Sequence, residues 1–209
     1  MRTEAPGSGY KTTCCMAFQL VGITPDILSE AQWAMVPDLF AAGLSYLYVR
    51  QTASEPLRQR LTDDALTPFQ SKILVPFPMA TGQFGRHWKE ADRVAASPAE
   101  RAFSTSVHAI TDWPTLAGRI ELVYYSPVFA SVSKPGYGPT MSIDETARQI
   151  RHIRQQADEL PLLIGLGGVQ AETIRQVQDA GFDGAAVLGT LWQRSDPVAV
   201  VQKLLAKLT

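Results

Sequence analysis

The run Pro161-Leu162-Leu163-Ile164-Gly165-Leu166, followed at once by Gly167-Gly168, limits what this chain can fold into more than any other stretch. Successive side chains of a strand point to opposite faces, so a strand that is aliphatic at nearly every position must be covered on both sides. Sheets covered on both sides are typically parallel, and parallel strands need long crossovers, usually helices. The pattern recurs along the chain. Segments 18–23, 44–49, 73–77, 84–88, 103–107, 120–125 and 184–188 also read as strands, with 84–88 the weakest. Helical spacing lies between many of them. Trp33, Val36 and Phe40 precede Gly43, with Pro37 implying a kink or a late start. Segment 55–66 is helix-like; Ile143, Ala147, Ile150 and Arg154 mark an amphipathic helix, Ile174 and Val177 another, and Val198, Val201, Leu204, Leu205 and Leu208 the last.

About eight strands with helical connections predict an α/β chain, a compact single (β/α)8 TIM barrel. At 209 residues it is shorter than the roughly 250 typical of that fold. A doubly wound open sheet would alternate in the same way, but no G-x-G-x-x-G follows the first strand, which weakens a dinucleotide-binding reading. Segment 16–209 reads as one domain and 1–15 as a mobile tail, with Met16 a candidate start. Cys14 and Cys15 are adjacent and cannot staple distant loops, so a reducing compartment is expected. No apolar run reaches the roughly 20 residues of a membrane span, and the N-terminus lacks an apolar signal core, so the expected location is cytoplasmic. Nineteen basic against 20 acidic side chains argue against nucleic acid as the main partner. A local anion site is still allowed.

In a barrel of this kind the chemistry sits just past the strand ends. Those positions hold Arg50, Asp92, Ser106 and His108, then Ser131, Ser133 and Lys134, then Gly167, Gly168, Gly189 and Thr190. The set contains two cations, one imidazole able to move protons, and glycine turns that expose backbone N–H groups. The stretch from Tyr124 to Gly138 runs from an apolar strand into a lysine-bearing, glycine-punctuated loop, as expected of a cover over an anionic small molecule. His87 reads as a packing or structurally bonded group, His152 as part of a polar helix face, and Trp88, Trp113 and Trp192 as core or rim packing. Asp92 reads equally as a helix-start charge or as a metal ligand.

Six segments in order resemble the family of thiamine phosphate synthase and thiazole tautomerase. Tyr48-Val49-Arg50 looks like its strand-two motif, and Gly85-Arg86-His87-Trp88-Lys89-Glu90-Ala91-Asp92 like its G-V-H-L-x-x-x-D run. Ser104-Thr105-Ser106-Val107-His108 matches S-x-H, and Ser126-Pro127-Val128-Phe129 through Lys134 resembles G-P-V-F-x-T-x-T-K. Ile164-Gly165-Leu166-Gly167-Gly168-Val169 and Gly181-Phe182-Asp183-Gly184-Ala185-Ala186-Val187 resemble the closing A-I-G-G-I and G-A-D-G-V-A-V segments.

The resemblance implies a phosphorylated thiazole as ligand, held by Gly167, Gly168 and Gly189. For the synthase it also implies a pyrimidine methyl diphosphate whose leaving group is clamped by magnesium, arginine and lysine. Two family positions differ. Thr52 stands where the synthase has a lysine, and Val75-Pro76-Phe77-Pro78 stands where it has N-D-R, leaving Asp92 as the weak metal candidate. The expected activity is therefore a thiazole tautomerase-like isomerase needing no cofactor, with His108 moving the proton and Arg50 and Lys134 on the carboxylate or phosphate. The alternatives are the magnesium-dependent synthase and a noncatalytic phosphate-ligand binder. Apolar residues on barrel helices are compatible with a homodimer.

Overall fold

The computed structural model describes residues 17–77, 79, 82–130 and 138–208. The expected tail 1–15, Cys14, Cys15, Met16 and Pro78 lie outside the described residues, as do Ser131, Ser133 and Lys134 of the expected cover. The strands are β1 (Gln19–Ile23), β2 (Tyr46–Tyr48), β3 (Ile73–Pro76), β4 (Gly85–Trp88), β5 (Ala102–Val107), β6 (Ile120–Tyr125), β7 (Leu162–Leu166) and β8 (Gly184–Val187). They pair in parallel in chain order, and β8 pairs back onto β1 with Gln19 opposite Gly184 and Gly22 opposite Val187. That pairing closes the ring and rules out the open sheet. Closure also explains a glycine. A Cβ on Gly184 would lie 2.3 Å from the Gln19 carbonyl oxygen, so only glycine lets the last strand approach the first.

The strands have two dry faces. Val21, Ile23, Tyr48, Leu74, Leu122, Tyr124, Ile164 and Ala186 fill the barrel, while their neighbours Leu20, Leu47, Val75, Val123, Leu163 and Ala185 pack outward. Burial on both faces is why the strand sequences are nearly continuous in apolar residues. Trp113, fully buried, donates its Nε1–H to the Pro161 carbonyl at 2.8 Å just before β7. Trp88 is buried as well, and Trp192 donates to the Ile23 carbonyl at 2.8 Å, so the packing roles expected for these rings hold.

The connections depart from the expected helices in ways the backbone explains. The first helical pattern is two helices, α1 (Glu30–Ala34) and α2 (Val36–Ala41). Pro37 sits in the first turn of α2, where a missing N–H costs nothing. Ser29 caps α1 by accepting from the Gln32 N–H, and the Gln32 side chain accepts from the Ser29 N–H. Segment 55–66 is not one helix: α3 (Glu55–Leu61) stops at Thr62, and a 3-10 stretch (Asp64–Lys72) follows. There the Asp63 carboxylate accepts from the Ala65 N–H, and Pro68 cannot continue an α-helical ladder. The helix start that Asp92 suggested is α4 (Glu90–Ala95); unforeseen elements are a 3-10 stretch (Ile110–Leu116) and α7 (Gly189–Trp192). The remaining helices, α5 (Ile143–Gln156), α6 (Ile174–Asp179) and α8 (Pro197–Leu205), fall where periodicity placed them.

Candidate active site

A cavity of about 720 Å3 opens at the carboxyl ends of the strands. Its wall includes Arg50, Ser106 and His108 from the sequence-based set, together with His87 and Tyr48. Arg50 follows β2 directly. Its N–H donates to the buried Thr24 hydroxyl at 3.0 Å, and its guanidinium meets the Asp26 carboxylate at 2.9 Å. Both ties run to the segment after β1, which holds the cation at the rim.

The floor is apolar and aromatic. His87, 3% exposed, has its ring centroid 4.1 Å from that of Tyr48, and Tyr124 lies beyond at 5.8 Å. His87 Nδ1 shares a hydrogen bond of 2.9 Å with the Ser104 hydroxyl. Burial, helped by the Lys89 charge, pushes the His87 imidazole down to about 3, so it is neutral over the physiological range. Burial pushes the Tyr48 phenol up to about 12 against the pull of Arg50.

His108 is different. It is exposed, and its Nδ1 lies 2.8 Å from the Ser126 carbonyl oxygen. A carbonyl only accepts, so Nδ1 carries the proton, and the neutral ring has its lone pair on Nε2. An oriented imidazole with a free Nε2 on a cavity wall can take or return a proton.

Gly167 and Gly168 form the turn after β7, with φ of 103° and 65°. A Cβ on Gly168 would lie 2.6 Å from the Ala130 carbonyl oxygen, so the turn after β7 and the loop after β6 touch through their backbones. Gly189 begins α7, and Thr190 donates its hydroxyl to the Val169 carbonyl at 2.6 Å, joining the two phosphate-loop candidates. Thr52 reaches the cavity wall, while Phe77 is exposed, its ring 5.1 Å from the Arg86 guanidinium. Asp92 lies in the first turn of α4, where its carboxylate accepts the Lys89 N–H at 3.0 Å. His152 is exposed on α5 and bonds Gln156 at 3.2 Å.

Wall residues outside the sequence-based set include Tyr48, Lys89, Arg93 and Tyr124, together with the carboxylates of Asp26, Glu90 and Asp112. Tyr48 and Tyr124 were readable as the inward positions of their strands by the period of two. Lys89 and Arg93 flank Asp92, but they point to the cavity only once α4 is known to exist.

A closed parallel barrel with a polar-rimmed cavity at the carboxyl ends of its strands is the architecture of a (β/α)8 enzyme. No family model matches the chain. It is 24% identical over 208 residues to a thiamine-phosphate synthase of Listeria monocytogenes, covering 90% of this chain and 95% of that protein. It is 27% identical over 202 residues to one of Bordetella pertussis, covering 85% and 88%. The fold superposes on thiamine phosphate pyrophosphorylase from Bacteroides thetaiotaomicron with a TM-score of 0.68 at 20% identity, covering 91% and 97%. The resemblance to the thiamine phosphate synthase family, read from six motifs, thus holds along most of the chain. No helix among the described residues is long and apolar enough to cross a membrane.

Proposed function

We propose that the chain is a transferase of thiamine biosynthesis that joins a pyrimidine methyl diphosphate to a phosphorylated thiazole in the barrel mouth. The observation that carries this reading is the end-to-end match to proteins named thiamine-phosphate synthase, and it favours the transferase over the isomerase expected from sequence. A cavity of about 720 Å3 is within the range that holds ligands of this size. In the transfer a thiazole nitrogen forms a bond to the pyrimidine methylene, while the diphosphate leaves with the electron pair of the broken C–O bond. Cations at the rim stabilise the charge that develops on the leaving oxygen, and the dry floor of Tyr48 and His87 keeps water from the methylene.

Magnesium prefers near-octahedral oxygen ligation, with carboxylates and phosphates as partners. The side chains present fit it poorly. The Asp26 carboxylate is held by Arg50, Asp92 accepts a backbone N–H, and no three His, Cys, Asp or Glu side chains converge among the described residues. No step of the proposed reaction is routed through a protein-held metal.

A second reading, the thiazole tautomerase, is favoured by one observation: the fixed tautomer of His108, whose Nε2 is free at the wall. Assaying both reactions side by side, with and without magnesium, separates the two. Release of diphosphate with formation of thiamine phosphate is the expected result; aromatisation of the thiazole carboxylate phosphate without any transfer would replace the transferase by the isomerase. Binding of a thiazole phosphate with neither turnover would leave only a binder.

A further inference from the structure

The cavity has two cations that no family motif accounts for. Lys89 follows β4 directly, and its backbone is pinned by the bond from its N–H to the Asp92 carboxylate. Arg93 comes four residues later, with its N–H bonded to the Lys89 carbonyl at 2.9 Å, so both side chains leave the same face of the first turn. Both line the cavity. Neither forms an ion pair among the described residues, although Arg50 on the same cavity wall does. The Nε of Arg93 is buried without a hydrogen-bond partner among those residues, an arrangement that is costly unless a ligand supplies the acceptor.

Arg50 and Lys89 each follow closely on a floor residue, Arg50 two positions after Tyr48 and Lys89 two after His87, whose rings lie tilted 4.1 Å apart. Both cations line the same cavity as Tyr48 and His87. Asp26, Glu90 and Asp112 reach the same wall, so the rim is not a uniform positive patch and an anion must be met by the heads of Lys89, Arg93 and Arg50 individually.

From this arrangement we infer that Lys89 and Arg93 form, with Arg50, a clamp for a diphosphate group that works without magnesium. The guanidinium of Arg93 offers planar paired donors and the Lys89 ammonium a compact charge, a combination suited to bridging oxygens on two phosphorus atoms. The inference rests on the transferase reading for its ligand class but not for its test. A terminal phosphomonoester offers the same oxygens, and the two sources are told apart by their different phosphate content.

The test is titration calorimetry of the whole protein with inorganic pyrophosphate and with inorganic phosphate, in EDTA and again in magnesium. Pyrophosphate is expected to bind in EDTA, more tightly than phosphate. Lys89→Ala and Arg93→Ala are each expected to weaken it by about tenfold or more, the usual scale for a charge-assisted hydrogen bond. Arg93→Lys should restore part of the loss, and Arg101→Ala, before β5 at the other end of the barrel, should change nothing. Circular dichroism of each variant confirms its fold. Binding that appears only when magnesium is added, or variants that bind like the parent, would overturn the clamp. Tighter binding of phosphate than of pyrophosphate would overturn the diphosphate assignment. Turnover to thiamine phosphate without metal-free pyrophosphate binding rejects the clamp alone, and metal-free binding without turnover rejects the transferase alone.

Discussion

His87 and His108 stand on neighbouring strands of one cavity and do opposite work. His87 lies 3% exposed against Tyr48, with Nδ1 bonded to Ser104, and burial holds it neutral. His108 lies exposed just past β5, its Nδ1–H bonded to the Ser126 carbonyl. The ring chemistry is identical, so the difference comes from the water around each. Desolvation makes the first a fixed, uncharged wall, whereas the second stands open to solvent. The floor is dry and uncharged; the rim is open to solvent and carries the charges.

The largest effect that sharpens this contrast is on rate. If the second reading holds and the chain aromatises a thiazole carboxylate phosphate, His108→Asn is expected to lower that turnover by about 10²–10⁴-fold, the usual range for a lost general acid or base, with the melting temperature unchanged. An unaltered rate would remove His108 from proton transfer and leave the rim with anion binding only.

Next in size is a pH effect on stability centred on His87. Unfolded, the imidazole takes up its proton near pH 6.5; folded, it resists until about pH 3. Between those values the unfolded chain binds the additional proton, so stability is full above about pH 6.5 and drains as the pH falls toward 3. By pH 4 the loss from this one group is on the order of 3 kcal/mol. Urea titrations at pH 7 and pH 4 should show that component in the parent and not in His87→Gln. Equal pH dependence in both would place the histidine in a wetter setting than its burial beside Tyr48 and Tyr124 describes.

Smaller again is the cost of removing the floor's polar partner. Ser104→Ala leaves His87 Nδ1 without its 2.9 Å contact and should destabilise the fold by about 1–3 kcal/mol, read by chemical denaturation. The smallest expected effect belongs to Asp92. As a first-turn carboxylate of α4 bonded to the Lys89 N–H, its change to Ala should cost about 0.3–1 kcal/mol and leave the response of activity to magnesium as in the parent. A shifted magnesium response would instead make Asp92 a ligand.

Much of the barrel was legible because its strands obey one physical rule. Dry faces on both sides force continuous apolar runs, as in β6 and β7, and the strand ends then mark the site, as Arg50, Ser106 and His108 do on the cavity wall. The connections were harder to read. Segment 55–66 has helical spacing throughout, but the chain leaves the α-helix at Thr62 because Asp63 and Pro68 favour a tighter turn. Helix α4 has no buried residue and so carries no apolar stripe for periodicity to detect. Lys89 and Arg93 were hidden for that reason, being charged residues on a short helix whose only local sign is the Asp92 cap. Reading His87 as a structurally bonded group agrees with its burial, yet its place on the cavity floor follows from closure of the ring, which no local pattern encodes.

The two ties on Arg50 make it a follower. Its N–H is held by Thr24 and its guanidinium by Asp26, so both ends of the residue take their position from the chain leaving β1. A cation held in this way moves with its neighbour's loop. A ligand that drew Asp26 aside would unlock Arg50 in the same movement, and a substitution among residues 24–26 would be felt as altered anion affinity by a side chain it never replaced.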